Sequence, residues 1–494
     1  MTRAFDVTVI GDDLGGLCAA LALQRDGFST ALIPRSSSPH RTKANARWRP
    51  SSIQTSGSPV WGEYLDAVGI RPPAIAQPQP PTTHIALPGL RLAVNHLSGV
   101  HVAGWNQENP APLWRPDSVN PLLQELEKAT TRLWLSLRDR ERRAQTSTFA
   151  RLGLNHRDLA RHPDWRSVQE LERKLEAESS ASWLLRALAF DQAIQAPEAS
   201  LFGNLRACCN QIFGSLDQGY PRLDVALIQR FEALGGTRLT RELPELIAPG
   251  AHQITLTCSG GLEINSRFLV YTAPLGGLRA LLTPTPIEHL GPPETLPRPF
   301  DFRALVRVPL AQTDWPLGRA DEVISVLNPT LPFHDGNHVR VTRAEADDGC
   351  QLEISFTLSA ASAERGEPAW HFINQRIAAH VALLFPLARL GTGSRGSGAQ
   401  IEAKRDASTL SYAESTPGVR EARFIYPQKH SRELRGLAQA TSLPRLFLGG
   451  SHLYPTLGHE GLVLAAEVTV AALKTQHRSS RAFRAGSWFP RIGR

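Results

Sequence analysis

Two stretches of this sequence carry residue types at spacings suited to chemistry. Near the start, VIGDDLGGLCAAL (residues 9–21) places Gly11 and Gly16 at the first and third positions of a G-x-G-x-x-G pattern. In that pattern the glycines allow a tight turn and a close backbone approach, and the following helix offers free N–H groups and partial positive charge to a pyrophosphate. The second position, normally glycine, is Asp13. A carboxylate about 5 Å from a phosphate charge costs about 3 kcal/mol at an effective dielectric of about 20, which is about two decades of affinity. Asp13 avoids that cost if it turns outward, is protonated, or caps the helix with its side chain. The second stretch, LFLGGSHLYPTLGHEGLVLAAE (residues 446–467), combines closely spaced glycines with the acid–base residues His452, His459 and Glu460.

The elements that must position these residues are legible around them. FDVTVI (residues 5–10) is apolar and β-branched, as in a buried parallel strand. Leu14, Leu17, Cys18, Leu21 and Ala22 then recur at helical spacing up to Gly27, and STALI (residues 29–33) reads as a second strand. This is a β-α-β unit with the glycines at the turn into the helix. An acidic residue is expected at the end of the second strand to bind ribose hydroxyls. Pro34 stands there, followed by Arg35, and no Asp or Glu occurs between Asp26 and Glu63. A solvated basic loop is the preferred reading of that interval; an arginine accepting a 2′-phosphate is the alternative. At the other end, a short apolar strand meets a glycine-rich loop and a helix of small and apolar residues.

Paired with the N-terminal unit, that C-terminal segment resembles the flavin-contacting segment of the phytoene desaturase and flavin amine oxidase superfamily. GYPRLDVALIQRFEALGGTRL (residues 219–239) is similar to the family's helix leading into a strand. RFLVYTAPLGGLRALL (residues 267–282) is similar to its strand followed by a small-residue turn. The resemblance implies an α/β fold: a Rossmann-like FAD/NAD(P)-binding domain from residues 1–75, 200–290 and 401–476, interleaved with a mixed-sheet-plus-helix substrate domain from 76–199 and 291–400. It implies FAD held by Gly11, Asp13, Leu14, Gly15, Gly16 and Arg35 on one side and by Gly450, Ser451, Gly458, Gly461 and Leu462 on the other, with a helix beginning near Gly461. It places His452, His459 and Glu460 near the flavin edge as catalytic candidates. Several positions depart from the family pattern. Ser451 replaces an Asp or Glu, Glu460 replaces a common proline, and the double-glycine-plus-arginine motif is missing from residues 35–60. Together with the charge at Asp13 these losses amount to about 5 kcal/mol, so weak or lost FAD binding is expected. Two functions follow: an FAD-dependent oxidoreductase taking hydride from a C–C or C–N bond of a small molecule, or a non-catalytic relative serving as partner or scaffold.

Between these segments, residues 75–89 form a Pro-rich connection and residues 118–190 carry helical periodicity. FRALVRV, EVISVLN, HVRVTRA and QLEISFTL within 300–358 read as strands, and residues 390–399 read as a flexible loop. Composition excludes other classes. The net charge of +8 over 494 residues is carried mostly by arginine. No basic helix, zinc spacing or RNA-binding signature accompanies it, so no nucleic-acid partner is expected. No metal-ligand spacing, Ser-His-Asp order or P-loop is present. Five cysteines, an odd number, suit a reducing compartment, and Cys208-Cys209 reads as buried packing. No leader is read before the first strand and no apolar run approaches the ~18 residues of a membrane span, so a cytoplasmic location is expected. Residues 477–494 read as a flexible basic tail, with peripheral docking on an anionic membrane or a protein partner as the alternative.

Overall fold

The computed structural model describes residues 2–34, 59–70, 82–87, 90–95, 99–105, 116–146, 163–177, most of 184–190, 223–282, 298–310, 322–346, 349–365, 367–385, 421–425, 437 and 441–485. Arg35, Cys208-Cys209, the loop at 390–399 and the chain beyond residue 485 lie outside them.

The β-α-β unit forms as its sequence dictates. β1 (Thr2–Ile10) and β2 (Thr30–Ile33) are parallel, with Val7 beside Thr30 and Ile10 beside Ile33. Between them runs α1 (Leu14–Arg25), whose residues 15–23 are all buried. β9 (Leu262–Tyr271) pairs in parallel along the other edge of β1 and leads into the short helix α6 (Leu275–Leu281). The free edge of β9 is shared. Its first half pairs with β8 (Ile254–Cys258), which continues antiparallel to β7 (Pro244–Pro249); its last three residues pair in parallel with β15 (Leu446–Leu448). β6 (Thr237–Arg238), reached through α5 (Leu223–Ala233), closes the far edge on β2. The sheet therefore joins segments from both ends of the chain. The placement of β1 and β15 in one sheet is as expected from the two glycine-rich segments.

A second, eight-stranded sheet runs β14-β10-β13-β12-β11-β3-β4-β5. These strands are β3 (Thr82–Leu87), β4 (Leu90–Asn95), β5 (Gly99–Trp105), β10 (Arg298–Leu310), β11 (Glu322–Val326), β12 (His338–Ala346), β13 (Gly349–Ser359) and β14 (Glu421–Ile425). All neighbours are antiparallel except β3 and β11. α7 (Ala360–Arg365) and α8 (Glu367–Leu384) cover one face and form a separate apolar core with it. The larger core contains the first sheet, α1, α2 (Pro59–Val68), α3 (Pro116–Thr146), α4 (Pro163–Ala177) and α9 (Gly458–Ala485). It also takes in Ile85, Leu90, Leu92 and Ile324 of the second sheet. None of the described helices is long and apolar enough to cross a membrane.

Three features differ from the sequence reading. The segment 401–476 does not belong wholly with the first sheet, because β14 hydrogen-bonds to β10. The meander β3–β5 was not legible: its first strand lies within residues 75–89, read above as a Pro-rich connection, and its pairing with β11 joins the meander to the rest of the sheet. The basic tail does not begin at 477, since α9 continues to Ala485. His477 is fixed there by the edge of Phe28, with ring centroids 5.9 Å apart, and by an Arg267 N–H donated to its Nε2 at 2.8 Å.

Candidate functional site

The turn between β1 and α1 is closed by glycines. Gly11 has φ 126°, and a Cβ there would overlap Thr272 Oγ1; a Cβ on Gly16 would overlap the Gly11 carbonyl. Thr272, just past β9, donates its hydroxyl to the Ile10 carbonyl at 3.2 Å. It thus forms the wall on which the turn packs. Asp13 is the N-cap of α1. Its Oδ1 accepts the Gly16 N–H at 2.8 Å, and its carbonyl accepts the Leu17 N–H at 2.9 Å. The carboxylate therefore turns onto the helix, one of the three options open from sequence. There it meets the positive end of the helix dipole and takes a donor that the motif normally offers to phosphate. Leu14 is half-buried, and Gly15 and Gly16 are buried.

The C-terminal segment meets this turn. Gly449 donates its N–H to the Tyr271 carbonyl at 2.9 Å, and Gly450 follows with φ 60°. A Cβ on Gly15 would lie 2.9 Å from the Gly450 Cα and 3.3 Å from Leu462 Cδ2. The two glycine turns therefore touch, with Leu462 of α9 behind them and Ser451 half-buried beside them. Gly458 has φ 55° and ψ −139°, backbone that favours glycine, and α9 starts there rather than near Gly461. Gly461 is needed for packing, since a Cβ would overlap the Tyr454 carbonyl.

The acid–base candidates separate. His452 is buried, and its Nε2–H is donated to the Ala273 carbonyl at 2.7 Å. Burial pushes the imidazole down to about 4 against the opposing effect of that bond, so the ring is neutral and its Nε2 proton is engaged. Leu437 donates its N–H to the His452 carbonyl at 2.7 Å. His452 thus clamps the glycine turn to the end of β9. His459 is half-buried at the start of α9 and is also pushed down to about 4, by burial first and by the charge of Arg303 second. Glu460 is buried.

The place where these residues meet follows from topology. β1 leads through α1 to β2 on one side, while β9 lies on the other, so the strand order reverses at the C-terminal ends of β1 and β9. Open α/β sheets hold ligands in the crevice outside such a reversal. Gly11, Asp13, Gly15, Gly16, Gly450 and Leu462 gather there. Pro34, just past the end of β2, offers no side-chain acceptor for a ribose.

Sequence reasoning missed the side chains that brace the site. Arg138 of α3, 5% exposed at its side chain, donates to Glu467 of α9 at 3.0 and 3.1 Å and to Glu63 of α2 at 2.6 Å. Tyr454, in the loop before α9, donates its hydroxyl to Glu141 of α3 at 2.7 Å. These partners lie 75 to 329 residues apart, so no local pattern announces them. Thr272 was within reach, since it ends a strand inside a stretch already singled out.

No known sequence family matches this chain, and no curated protein does. Solved structures do. Putrescine oxidase, in a structure of the wild type bound to putrescine, is 13% identical with a TM-score of 0.51, covering 96% of this chain and 100% of that one. An oxidoreductase from Methanosarcina mazei is 10% identical, covering 94% and 99%, at 0.49. A flavoprotein/dehydrogenase from Cytophaga hutchinsonii is 12% identical, covering 99% and 86%, at 0.41. The identities are low, and the first match, which spans both chains almost completely, is the one that bears on the fold. With the reversal point, the paired glycine turns and the second sheet in place, this chain shares the overall fold of putrescine oxidase.

Proposed function

We propose that the protein is an FAD-dependent oxidoreductase that takes a hydride from a C–H bond of a small-molecule substrate, oxidising a C–C or C–N bond to C=C or C=N with loss of a proton from the neighbouring atom. One observation carries this reading: the N-terminus of α1 and the Gly450 turn, from opposite ends of the chain, touch at the point where the strand order reverses. One solved structure that matches across the chain is putrescine oxidase with putrescine bound. The residues fit a dinucleotide in shape. Gly11, Gly15, Gly16 and Gly450 leave backbone where side chains would stand, and α1 points its positive end at the crevice. In this reading Leu14, Ser451, Gly458, Gly461 and Leu462 line the same ligand, and Arg35 meets its adenosine end. FAD supplies, when bound, the two-electron acceptor for the substrate's hydride. The chain's own residues do the rest. His452 holds the Gly450 turn against β9, and Arg138 and Tyr454 fix α9 and its preceding loop to α3. His459, neutral and half-buried, is able to accept a proton at the substrate side.

A second reading, a non-catalytic relative acting as a partner or scaffold, is favoured by the departures at Asp13, Pro34 and Ser451, most directly by Asp13. Its carboxylate already holds the Gly16 N–H. Purification followed by an absorbance scan and a titration with FAD separates the two. Flavin bands, or saturable binding followed by bleaching with an amine or alkene substrate, support the oxidoreductase. Absence of FAD binding at any concentration up to millimolar leaves only the second reading.

A further inference from the structure

Towards its C-terminal end α9 is fastened to the first sheet through an ionisable acceptor. Lys474 pairs with Asp26, at the end of α1, at 2.9 Å. One turn further on, half-buried His477 meets Phe28 edge to face, with ring centroids 5.9 Å apart, and its Nε2 accepts an Arg267 Nη1–H at 2.8 Å. Arg267 stands on β9. The same Nη1 lies 3.4 Å from Oδ1 of Asp6 on β1. The shorter bond of this guanidinium therefore goes to a ring and the longer one to a carboxylate.

A guanidinium has donors only and keeps its charge throughout the range in which proteins stay folded. Nε2 of His477 must then be the acceptor, so the ring is neutral and carries its proton on Nδ1. An imidazolium bears N–H groups at both nitrogens and accepts nothing. Protonation of His477 thus sets two donors and two positive charges against each other at this contact. The neighbouring groups do not reverse this. Asp6 is already engaged: its Oδ2 accepts the Ser29 N–H at 3.1 Å and the Ser29 hydroxyl at 3.0 Å, and its Oδ1 faces Arg267. Against the effect of burial, those bonds from Ser29 and Arg267 hold its carboxyl below the usual carboxylate range, so its charge is constant near neutrality. Asp26 is matched by Lys474 and, at 3.3 Å, by Arg25. Arg445 places a further cation next to Arg267, whose carbonyl it reaches through Nη1 at 3.4 Å.

We propose that His477 is a pH-sensitive latch: neutral, it fastens the end of α9 to β9 through Arg267, and protonated, it releases that end of the helix. The released state takes up a proton that the latched state refuses. Latching is therefore complete above the ordinary titration range of an imidazole, about 6.5, and is lost progressively as pH falls below it. One proton is coupled to one opening, so the ratio of released to latched molecules rises by at most about tenfold per pH unit, and by about tenfold in all between pH 7.5 and pH 5.5. This latch is independent of the function proposed for the crevice.

Hydrogen–deuterium exchange of the full chain tests this, read by mass spectrometry on peptides from the end of α9, residues 474–485, and corrected for the intrinsic pH dependence of amide exchange. Wild type, His477→Gln and His477→Ala are compared at pH 7.5 and pH 5.5, with peptides of α1 as the internal reference. The side-chain oxygen of glutamine accepts from Arg267 at either pH, and alanine accepts at neither. Wild-type protection at the end of α9 is expected to fall about tenfold between the two pH values while that of α1 does not change. His477→Gln is expected to stay protected at both, and His477→Ala to be as open at pH 7.5 as the wild type is at pH 5.5. Wild-type protection that is absent at pH 7.5, or that is the same at both values, overturns the proposal. An equal fall in His477→Gln overturns it too, because another group then carries the response. Full protection of His477→Ala at pH 7.5 overturns it as well, since the bond to Arg267 would not be what holds the helix end.

Discussion

Replacing Asp13 by Asn separates the two roles that its carboxylate combines. In the structure Oδ1 accepts the Gly16 N–H at 2.8 Å. A phosphate oxygen using the same N–H must take the same place, so the carboxylate has to swing aside and still remains within about 5 Å of the phosphate. At an effective dielectric of about 20 that repulsion is about 3 kcal/mol, or about two decades in the dissociation constant. Asparagine keeps an oxygen that can cap the helix and loses only the attraction between charge and helix dipole, about 0.3 to 1 kcal/mol. Asp13→Asn is therefore expected to bind FAD about 30- to 100-fold more tightly while its unfolding free energy falls by no more than about 1 kcal/mol. Asp13→Ala is expected to gain similar affinity but to lose about 1 kcal/mol through the missing cap. Titration of the three proteins with FAD, followed by flavin fluorescence at one ionic strength, measures the first quantity, and urea unfolding measures the second. Stoichiometric FAD binding by the wild type, unchanged in Asp13→Asn, would refute the reasoning, because it would mean that phosphate and carboxylate do not compete for this end of α1.

Three further outcomes are expected. Arg138→Met leaves the Glu467 carboxylate, 16% exposed, without its main partner and is expected to cost about 3 kcal/mol in urea unfolding; Glu63→Ala, at a side chain 57% exposed, is expected to cost under about 1 kcal/mol. Gly16→Ala forces a Cβ onto the Gly11 carbonyl, which is backbone and cannot move aside, whereas Gly62→Ala inside α2 meets nothing within 4 Å. The first is expected to destabilise by about 3 kcal/mol or prevent folding and the second to stabilise by about 0.5 to 1 kcal/mol, both readable as opposite shifts of the thermal midpoint. His380 and His452 are held down to about 4 in the folded chain by burial, against about 6.5 when unfolded. The unfolded state then binds more protons between those values, so stability is full above about pH 6.5 and declines as pH falls towards 4, by on the order of 3 kcal/mol for each group. Urea midpoints between pH 7 and pH 4.5 check this; a flat profile, or an unchanged slope in His452→Gln, would contradict the assignment.

The β-α-β unit was legible because its signals are local. An apolar β-branched run, glycines at the turn and a helical repeat from Leu14 to Ala22 each depend on residues a few positions apart. The strands of 300–358 were legible for the same reason, since alternation along β10, β12 and β13 is written in adjacent residues. The glycines at 450, 458 and 461 were legible as glycines, but their causes were not. Gly461 reflects the Tyr454 carbonyl and Gly15 reflects the Gly450 Cα, both close approaches that exist only once α9 has packed. Likewise His452 reads from sequence as an acid–base candidate; the structure shows its Nε2 proton given to a carbonyl 179 residues away.

The sequence by itself determined the class of fold, the two glycine turns and the identity of the charge at Asp13, because backbone conformation and helix propensity are set by near neighbours. Tertiary structure decided what each of these does. It turned the Asp13 carboxylate onto Gly16, joined β15 to the end of β9, carried β14 into the second sheet and buried Arg303 opposite Thr357. Each of those outcomes is a contact between residues far apart in the chain. Its energy depends on burial and on the partner it finds, and neither is written at the position itself.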